Sequence, residues 1–435
     1  MRLSYLLPRN FFLLILSLFL FNSAIARDVK KIIKRHVTTL TSKEYHGRGY
    51  VFDGGKKAAT YIADKFKSYG LLPLDKDSTF WQPYSFPINT FPGDVSLNIN
   101  NTHLIPGVDY IVNAASSSYH TNGWLELRTI DMWDIKDADR WAAIKYFFKD
   151  PEYGYIIKNS DTPSKYLKFS IRSITKEFPK GLFILPKHGK MIWTANTDTV
   201  GGTIITVQDS VLPEIMTRVK ASIDAEYVEK FKTQNVVGYV RGTEMPDSFI
   251  VFSAHYDHLG QMGEETIFPG ASDNASGTSL VLYLARYFAE HPAKYSVAFM
   301  LFSGEEAGLL GSTHYVQYPL FPLSQIKFLV NLDITGDATN GITMVNGQAN
   351  AKEYSLFTRI NEEQDYLPKI NSREQTQNSD HYPFCNVGVK GIFIYGLGTK
   401  PYYHDVFDTA DEITLENIDA LSNLLIDFVA ESYGK

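Results

Sequence analysis

The second half of the chain alternates short apolar segments with a stretch of helical periodicity, and this alternation restricts its possible folds more than any other feature. Apolar segments of strand length occur at 248–254, 296–302, 328–332 and 391–395. Between the first two, apolar residues recur at helical spacing over 278–290. Buried strands separated by helices predict an α/β fold with a mostly parallel central sheet flanked by helices.

The first half contains one clear helical segment and one segment of different character. Residues 55–72 have an apolar face at helical spacing, and Gly70 is placed to cap the helix. From 94 to 225, Trp, Tyr, Lys and Asp mix without a helical period, and short β-like pieces occur at 181–185 and 202–207. We therefore predict an inserted, β-rich accessory domain over 94–225.

The first 26 residues have the three parts of a secretory signal peptide. Arg2 and Arg9 flank a short polar start, an apolar run covers 11–21, and a small-x-small triplet stands at 24–26. The run is shorter than the ~20 apolar residues of a spanning helix. We predict a signal peptide over 1–26, cleaved to leave an exported chain, periplasmic or secreted, with no membrane attachment. An uncleaved N-terminal anchor is the alternative.

Charge and cysteine content exclude some classes of function. The chain has 42 basic and 48 acidic residues, a net charge of −6. Nucleic acids bind basic surfaces, so a nucleic-acid partner is not expected. The one cysteine, Cys385, cannot form an internal disulfide. An exported chain of this length would therefore depend on its hydrophobic cores rather than on cross-links.

Polar residues that can bind metals follow the first predicted strand and precede the predicted helix. His255 and Asp257 are two apart, so in a strand they point the same way. Asp257 could accept one ring N–H and leave the other nitrogen of His255 for a metal; a hydrogen-bonded histidine is the alternative. Asp273 stands among small residues before the helix, where it either caps that helix or bridges two cations.

Three further groups of polar residues follow later apolar segments. Glu305 and Glu306 come directly after 296–302, where adjacent acids repel unless cations neutralise them. If Glu306 binds a metal, Glu305 is free to take a proton from metal-bound water; two solvated acids in a loop are the alternative. Asp333 ends the next apolar segment, and His404 lies near the C-terminus.

Together these residues favour a metal centre. The carboxyl ends of parallel strands meet at one edge of a sheet, so the clusters can converge although they are far apart in the sequence. Imidazole nitrogens and carboxylate oxygens, without a thiolate, suit a pair of hard-to-borderline cations. Two such cations in one site can polarise a carbonyl group.

The order and spacing of the motifs resemble the di-zinc exopeptidase superfamily. Its members include secreted bacterial aminopeptidases, vacuolar aminopeptidase Y and glutamate carboxypeptidase. The resemblance is strong over about 235–411 and weaker around Gly47 and Arg48. The motifs are His-x-Asp, Ser-Asp-Asn-Ala-Ser-Gly, Gly-Glu-Glu-x-Gly-Leu-x-Gly-Ser, Asn-x-Asp and Tyr-His-x-x-x-Asp-Thr.

The resemblance implies a role for each matched residue. It implies two Zn²⁺ ions, one bound by His255 and Asp333, the other by Glu306 and His404, with Asp273 bridging both. It further implies that Asp257 orients His255, that Glu305 is the general base and then the acid that protonates the leaving amine, and that Tyr403 helps to stabilise the oxyanion. His258, His314 and His381 lie outside these roles and are interpreted as structural.

The implied function is that of a secreted di-zinc aminopeptidase, which removes N-terminal residues from peptides by attack of metal-bound hydroxide. The alternatives are a carboxypeptidase or a glutaminyl cyclase of the same superfamily, or a non-catalytic receptor-like member. The catalytic domain would comprise 27–93 and 226–435. Many relatives carry a protease-associated domain where 94–225 lies, and a protease-associated-like domain is one interpretation of this segment, although it shows no clear signature. The sequence predicts neither the preferred N-terminal residue nor the oligomeric state.

Overall fold

The structure is a computed structural model that describes residues 28–74, 78–134, 139, 142–143, 146–149, 152–160, 178 and 180–432. The predicted signal peptide over 1–26 lies outside the described residues. In the described part of the chain, no helix has both the length and the apolar character needed to cross a membrane.

The main helices follow the spacing of apolar residues in the sequence. In α1, Val29, Ile33, Val37 and Leu40 lie on one face, and all are buried. The next helix ends at Gly70, whose φ of 80° is the left-handed conformation that favours glycine at a helix C-terminus. The main helices are α1 (28–40), α2 (Gly54–Tyr69), α3 (Gly277–Glu290), α4 (Leu310–Gln317), α5 (Ala351–Gln364), α6 (His381–Asn386) and α7 (Ile418–Glu431).

The strands form two large sheets and one small hairpin. In chain order they are β1 (Leu72–Pro73), β2 (Trp81–Thr90), β3 (Val95–Ile99), β4 (Thr102–Leu104), β5 (Tyr110–Val112), β6 (Tyr119–His120), β7 (Leu125–Asp131), β8 (Tyr153–Lys158), β9 (Leu182–Lys187), β10 (Thr203–Gln208), β11 (Arg218–Ile223), β12 (Glu226–Val240), β13 (Met245–His255), β14 (Gly260–Met262), β15 (Thr266–Phe268), β16 (Tyr295–Phe302), β17 (Ile326–Leu332), β18 (Ile342–Val345), β19 (Ile370–Arg373) and β20 (Gly391–Gly396).

The first sheet has the strand order β1-β12-β16-β13-β17-β20-β18-β19, and β2 pairs with β12. Its four middle strands, β16, β13, β17 and β20, are mutually parallel, whereas β12 and β18 join them in antiparallel register. Every residue of β16 is buried, as expected for a strand covered on both faces. The expected α/β fold is confirmed, with a parallel centre and antiparallel pairs towards both edges.

Helices cover both faces of this sheet. The larger core lies on one face and includes apolar side chains of α1, α2, α3, α5 and α7. The smaller core lies on the other face, where Tyr315 of α4 and Phe384 of α6 pack against Phe302. The central strands are therefore held between two apolar layers, which fixes the position of the loops at their ends.

The second sheet has the order β4-β3-β11-β7-β8-β9-β10-β5, with β6 paired to β11. Its strands fall between Val95 and Ile223, and it has apolar cores of its own. Strands β7 to β10 are parallel neighbours. The division of the chain into domains stays a prediction.

Candidate metal centre

Three neighbouring parallel strands bring most of the predicted site residues to one edge of the first sheet. His255 ends β13, the two glutamates Glu305 and Glu306 follow β16, and Asp333 follows β17. Residue His255 is in register with Phe302, the last residue of β16. The ends of these strands are therefore level, and residues 78 positions apart in the sequence come into contact.

Asp273 reaches the same place from the turn before α3. Gly277 lets that turn approach β17, because a Cβ at this position would lie only 2.2 Å from the carbonyl oxygen of Leu332. The amide of Asn274 donates to the same carbonyl over 3.0 Å, and its Oδ1 accepts the N–H of Gly277 over 2.9 Å. The turn is thus tied to the end of β17, next to Asp333.

The first group of metal-ligating atoms surrounds the Nε2 atom of His255. That nitrogen lies 3.2 Å from Oδ1 of Asp333 and 3.4 Å from Oδ1 of Asp273. All three residues are buried. We call them the His255 cluster.

The second group surrounds the Nε2 atom of His404, which lies 3.0 Å from Oδ2 of Asp273 and 3.1 Å from Oε2 of Glu306. We call Asp273, Glu306 and His404 the His404 cluster. The two oxygens of Asp273 face different clusters, which is the arrangement of a carboxylate that bridges two cations. His258 also belongs to this region, since its Nδ1 lies 2.7 Å from Oε1 of Glu306.

These groups shift one another's proton affinity. Burial raises the pKa of Asp273, but hydrogen bonds from His255 and His404 outweigh this effect and hold the pKa well below its usual range. Burial and Asp273 raise the pKa of Glu306, whereas His404 and His258 lower it to about 2. Burial lowers the pKa of His404, but Glu306 and Asp273 raise it to about 11. The ionised forms of these buried carboxylates are therefore stabilised by positive charge in their surroundings.

The residues present fit zinc. Each cluster offers one imidazole nitrogen and carboxylate oxygens, and the donor atoms lie within 4.8 Å of one another. Zinc binds these donor types, and divalent cations would supply the charge that the imidazoles supply as protonated groups. The structure thus brings together all five predicted ligands.

Glu305 lies beside the ligands without belonging to either cluster. Its Oε2 is 3.9 Å from Nε2 of His255. Burial raises its pKa well above the usual range, and the nearby carboxylates Asp333 and Glu306 act in the same direction against the opposing effect of His255. A glutamate with raised pKa beside a metal site suits a general base.

Asp257 supports the loop that carries the two glutamates. Its carboxylate accepts the hydroxyl of Tyr50 over 2.8 Å and the main-chain N–H groups of Glu305 and Glu306 over 3.3 and 3.4 Å. Towards His255, the nearer atom is the main-chain oxygen of Asp257, 3.1 Å from Nδ1, and the carboxylate lies at 3.7 Å. Asp257 therefore contacts both His255 and the main chain of Glu305.

A cavity of about 310 Å³ opens over the two clusters. Tyr403 lines it together with the ligands and Glu305. Its ring stacks on His404 with a centroid distance of 3.9 Å, and its side chain is partly exposed. Tyr403 is thus placed where its hydroxyl group can reach a molecule in the cavity.

Two of the predicted ligands, Asp333 and Asp273, have supporting contacts that the motifs did not predict. Asp333 accepts the hydroxyl of Ser379 over 2.7 Å. The carboxylate of Asp408 accepts the main-chain N–H groups of Ser272 and Asp273, over 2.9 to 3.1 Å. The Asp-Thr pair of the last motif contains Asp408, but the sequence did not show which main-chain atoms it would hold.

His404 is held by the segment that connects β9 and β10 of the second sheet. Its Nδ1 donates to the main-chain oxygen of Trp193 over 3.1 Å, and the N–H of Trp193 donates to its carbonyl over 3.0 Å. His258, interpreted above as structural, contacts Glu306. The signal for His258 was its place three residues after His255; the contact with Trp193 had no signal in the sequence.

The wall of the site also contains a buried arginine. The guanidinium group of Arg48 donates to the main-chain oxygens of Leu40, Tyr256, Pro269 and Gly270, over 2.6 to 3.1 Å. The oxygens of Tyr256, Pro269 and Gly270 lie in the segments next to His255 and Asp273, whereas the oxygen of Leu40 is at the end of α1. Arg48 therefore joins the end of α1 to the segments that lead to the His255 cluster.

The matched family agrees with this geometry. Residues 235–429 match the model of Peptidase family M28. We call these residues the M28 segment. It contains all five predicted metal ligands and Glu305, so the resemblance to the di-zinc exopeptidases is confirmed for the part of the chain that carries the site.

Curated proteins that are similar to this chain include peptidases. Aminopeptidase YwaD of Bacillus subtilis is 31% identical over 217 residues, which cover 47% of this chain and 45% of that protein. A probable zinc metalloprotease of Pyrenophora tritici-repentis is 36% identical over 107 residues, 24% of this chain and 22% of that protein. The chain spans less than half the length of these curated relatives.

Solved structures share the fold over nearly the whole chain. The zinc aminopeptidase BSAP from Bacillus subtilis superimposes with a TM-score of 0.66 at 20% identity, covering 93% of this chain and 96% of that one. A peptidase M28 precursor from Shewanella amazonensis has the same TM-score at 15% identity, with 94% and 96% coverage. The M28 segment and the segment of the second sheet thus both have counterparts in known folds.

Proposed function

We propose that this protein is an exported metallo-aminopeptidase that binds two zinc ions and removes N-terminal residues from peptides. The observation that carries the proposal is the position of Asp273, whose two oxygens face separate imidazole-carboxylate clusters at the floor of one cavity. Peptidase family M28 and the aminopeptidases among the relatives support the same activity.

Each cluster would bind one of the two ions. His255 and Asp333 would hold one ion, Glu306 and His404 the other, and Asp273 would contact both. Bound there, a zinc pair supplies Lewis acidity, which polarises a carbonyl group and makes a water molecule more acidic. His258 contacts Oε1 of Glu306, whereas His404 contacts Oε2. His258 would therefore fix the orientation of the Glu306 carboxylate.

Glu305 performs the proton transfers. It takes a proton from the attacking water and later gives that proton to the amine of the departing peptide. Asp257 contributes by holding the main-chain N–H of Glu305, so the base stays over the His255 cluster. The hydroxyl of Tyr403 would donate to the carbonyl oxygen as negative charge develops on it. The substrate's α-amine would lie near Glu305 and Asp333.

The test is hydrolysis of a panel of aminoacyl p-nitroanilides, with and without a chelator. We expect turnover of at least one of them, its loss on chelation and its return when zinc is added. An N-blocked dipeptide distinguishes a carboxypeptidase, and an N-terminal glutaminyl peptide distinguishes a cyclase. Stoichiometric zinc without any turnover of these compounds would contradict the proposed activity.

Export is a part of the proposal that rests on the N-terminal segment. The basic residues, the apolar run and the small-residue triplet are its support. Expression in a host with a secretion pathway, followed by N-terminal sequencing, should give a mature chain that begins at Arg27. A chain retained in the cell with its first residues intact would contradict it.

A further inference from the structure

The cavity over the His255 and His404 clusters is also lined by the positively charged side chain of an arginine. Arg373 is the last residue of β19, the edge strand of the first sheet. In register it lies opposite Val345 of β18, which in turn pairs with Phe393 of β20. Arg373 and Phe393 both line the cavity, so the edge strands bring a positive charge to the space where the substrate would bind.

In the described part of the chain, the side chain of Arg373 uses few of its hydrogen-bond donors. Its Nη1 donates to the hydroxyl oxygen of Tyr395 over 3.2 Å. A guanidinium group has five N–H donors, and the described residues include no carboxylate in ion-pair contact with this one. Because the Tyr395 oxygen accepts in this contact, its own proton is available to another acceptor.

A third donor lies in the same cavity wall. The Thr376 hydroxyl donates to Oδ1 of Asn378 over 2.6 Å, so the amide group of Asn378 is oriented by its oxygen. Its NH₂ group remains as a donor. Arg373, Tyr395 and Asn378 all line the cavity and together present donors rather than acceptors.

The charge of the cavity also favours a ligand that accepts hydrogen bonds. Four carboxylates line it, those of Asp273, Glu305, Glu306 and Asp333. Two divalent cations would offset their combined charge. Among the described residues that line the cavity, no further carboxylate then remains to balance the positive charge of Arg373. A planar guanidinium group pairs best with a carboxylate, which it can bind through two parallel hydrogen bonds.

We propose that Arg373, with Tyr395 and Asn378, forms a subsite that binds a carboxylate group of the peptide substrate. The inference rests on the proposed aminopeptidase function and narrows its substrate class. Two sources supply the same chemistry. One is an acidic side chain on the N-terminal residue, and the other is the C-terminal carboxylate of a very short peptide.

The experiment compares Arg373→Gln with the unchanged zinc-loaded protein on two matched substrate pairs. Glutamyl and glutaminyl p-nitroanilide test a side-chain carboxylate. Leucyl-leucine and leucyl-leucinamide test a terminal one. In one pair we expect kcat/KM for the carboxylate-bearing member to fall about tenfold or more. The uncharged member should stay within about threefold, because it makes no ion pair with Arg373.

Two controls keep the result specific. Arg359→Gln removes a surface arginine on α5 that pairs with Glu363 and does not line the cavity, and should change neither pair. Zinc content of Arg373→Gln should equal that of the unchanged protein. If the ratio within both substrate pairs is the same in Arg373→Gln as in the unchanged protein, the subsite does not exist.

Failure of the proposed function gives a different result. In that case the unchanged protein hydrolyses neither member of either pair, and calorimetry replaces kinetics. Glutamate should then bind the zinc-loaded protein more tightly than glutamine, or leucyl-leucine more tightly than its amide, and Arg373→Gln should abolish the difference. Equal affinities within both pairs would overturn the carboxylate subsite.

Discussion

Glu305 and Glu306 are adjacent in the sequence, yet their carboxylates have different surroundings. Glu306 contacts the imidazoles of His404 and His258, which lower its pKa to about 2. Glu305 has one distant imidazole neighbour, His255, and burial raises its pKa. The surroundings thus suit Glu306 to binding a metal ion and Glu305 to accepting a proton.

Replacing Glu305 with Gln should remove catalysis while keeping the site. The amide has nearly the shape of the carboxylate but cannot take a proton from water. We expect kcat to fall about 10²- to 10⁴-fold, with zinc content unchanged. Steady-state kinetics and metal analysis of both proteins check this. Activity within tenfold of the unchanged protein would show that Glu305 is not the base.

His36 should make stability depend on pH. It is buried in α1, with its Nδ1 2.6 Å from the Tyr61 hydroxyl. Burial lowers its pKa to about 4, and Lys65, Arg35 and Arg286 act in the same direction. The unfolded chain takes up a proton near pH 6.5, whereas the folded chain does not. The stability contributed by neutral His36 is therefore complete above about pH 6.5 and falls as pH drops towards 4.

The matched variant is His36→Gln, which does not titrate in this range. Between pH 7 and pH 4 the unchanged protein should lose up to about 3 kcal/mol more unfolding free energy than the variant. Urea unfolding at both pH values measures this difference. Equal losses would show that His36 has the same pKa in the folded and unfolded chains.

Among the elements of the fold, the segment after β9 leads from the second sheet to His404. Trp193 in this segment is buried, with its ring stacked on Phe268 at a centroid distance of 4.6 Å and its indole N–H donating to Val112 over 2.8 Å. Lys190 of the same segment forms an ion pair with Asp405 over 3.0 Å. These contacts fix the carbonyl group that holds His404.

Trp193→Ala should therefore weaken zinc binding although Trp193 is not a ligand. Without the indole ring the segment loses its packing, and His404 loses a fixed acceptor for its Nδ1. We expect zinc affinity to fall about 10- to 100-fold, as measured by competition with a chelator. Trp133→Ala is the matched control, since this tryptophan is 61% exposed. Equal affinities of both variants would contradict the positioning role.

The sequence predicted elements better than contacts between them. The apolar segment 328–332 corresponds to β17, and 296–302 to β16, each within two residues. Periodicity reveals such elements because burial requires it. Three contacts were not predicted: the antiparallel pairing of β12 with β16, that of β18 with β20, and the contact of Trp193 with His404. They depend on the path of the chain between distant segments. His258 was assigned a structural role for the same reason.

At the scale of the whole molecule, the site joins parts of the chain that are far apart. Arg48 near the N-terminus, the M28 segment and Trp193 of the segment between them all contact its loops. A metal bound to these loops stabilises the folded state alone, because the unfolded chain does not assemble the clusters.

Removing zinc should therefore destabilise the protein. At a free zinc concentration 100-fold above the dissociation constant, each site contributes about 2.7 kcal/mol to the free energy of unfolding. Calorimetric melting with and without a chelator should show a lower melting temperature in the chelated sample, restored by added zinc. An unchanged melting temperature would indicate that the clusters do not bind zinc in the folded protein.

The proposed function requires Asp273 to lie between two metal ions. Anomalous diffraction at the zinc absorption edge, from crystals of the zinc-loaded protein, tests it most directly. We expect two peaks, one between Asp273 and the pair His255 and Asp333, the other between Asp273 and the pair Glu306 and His404. A single peak, or peaks that have no contact with Asp273, would contradict it.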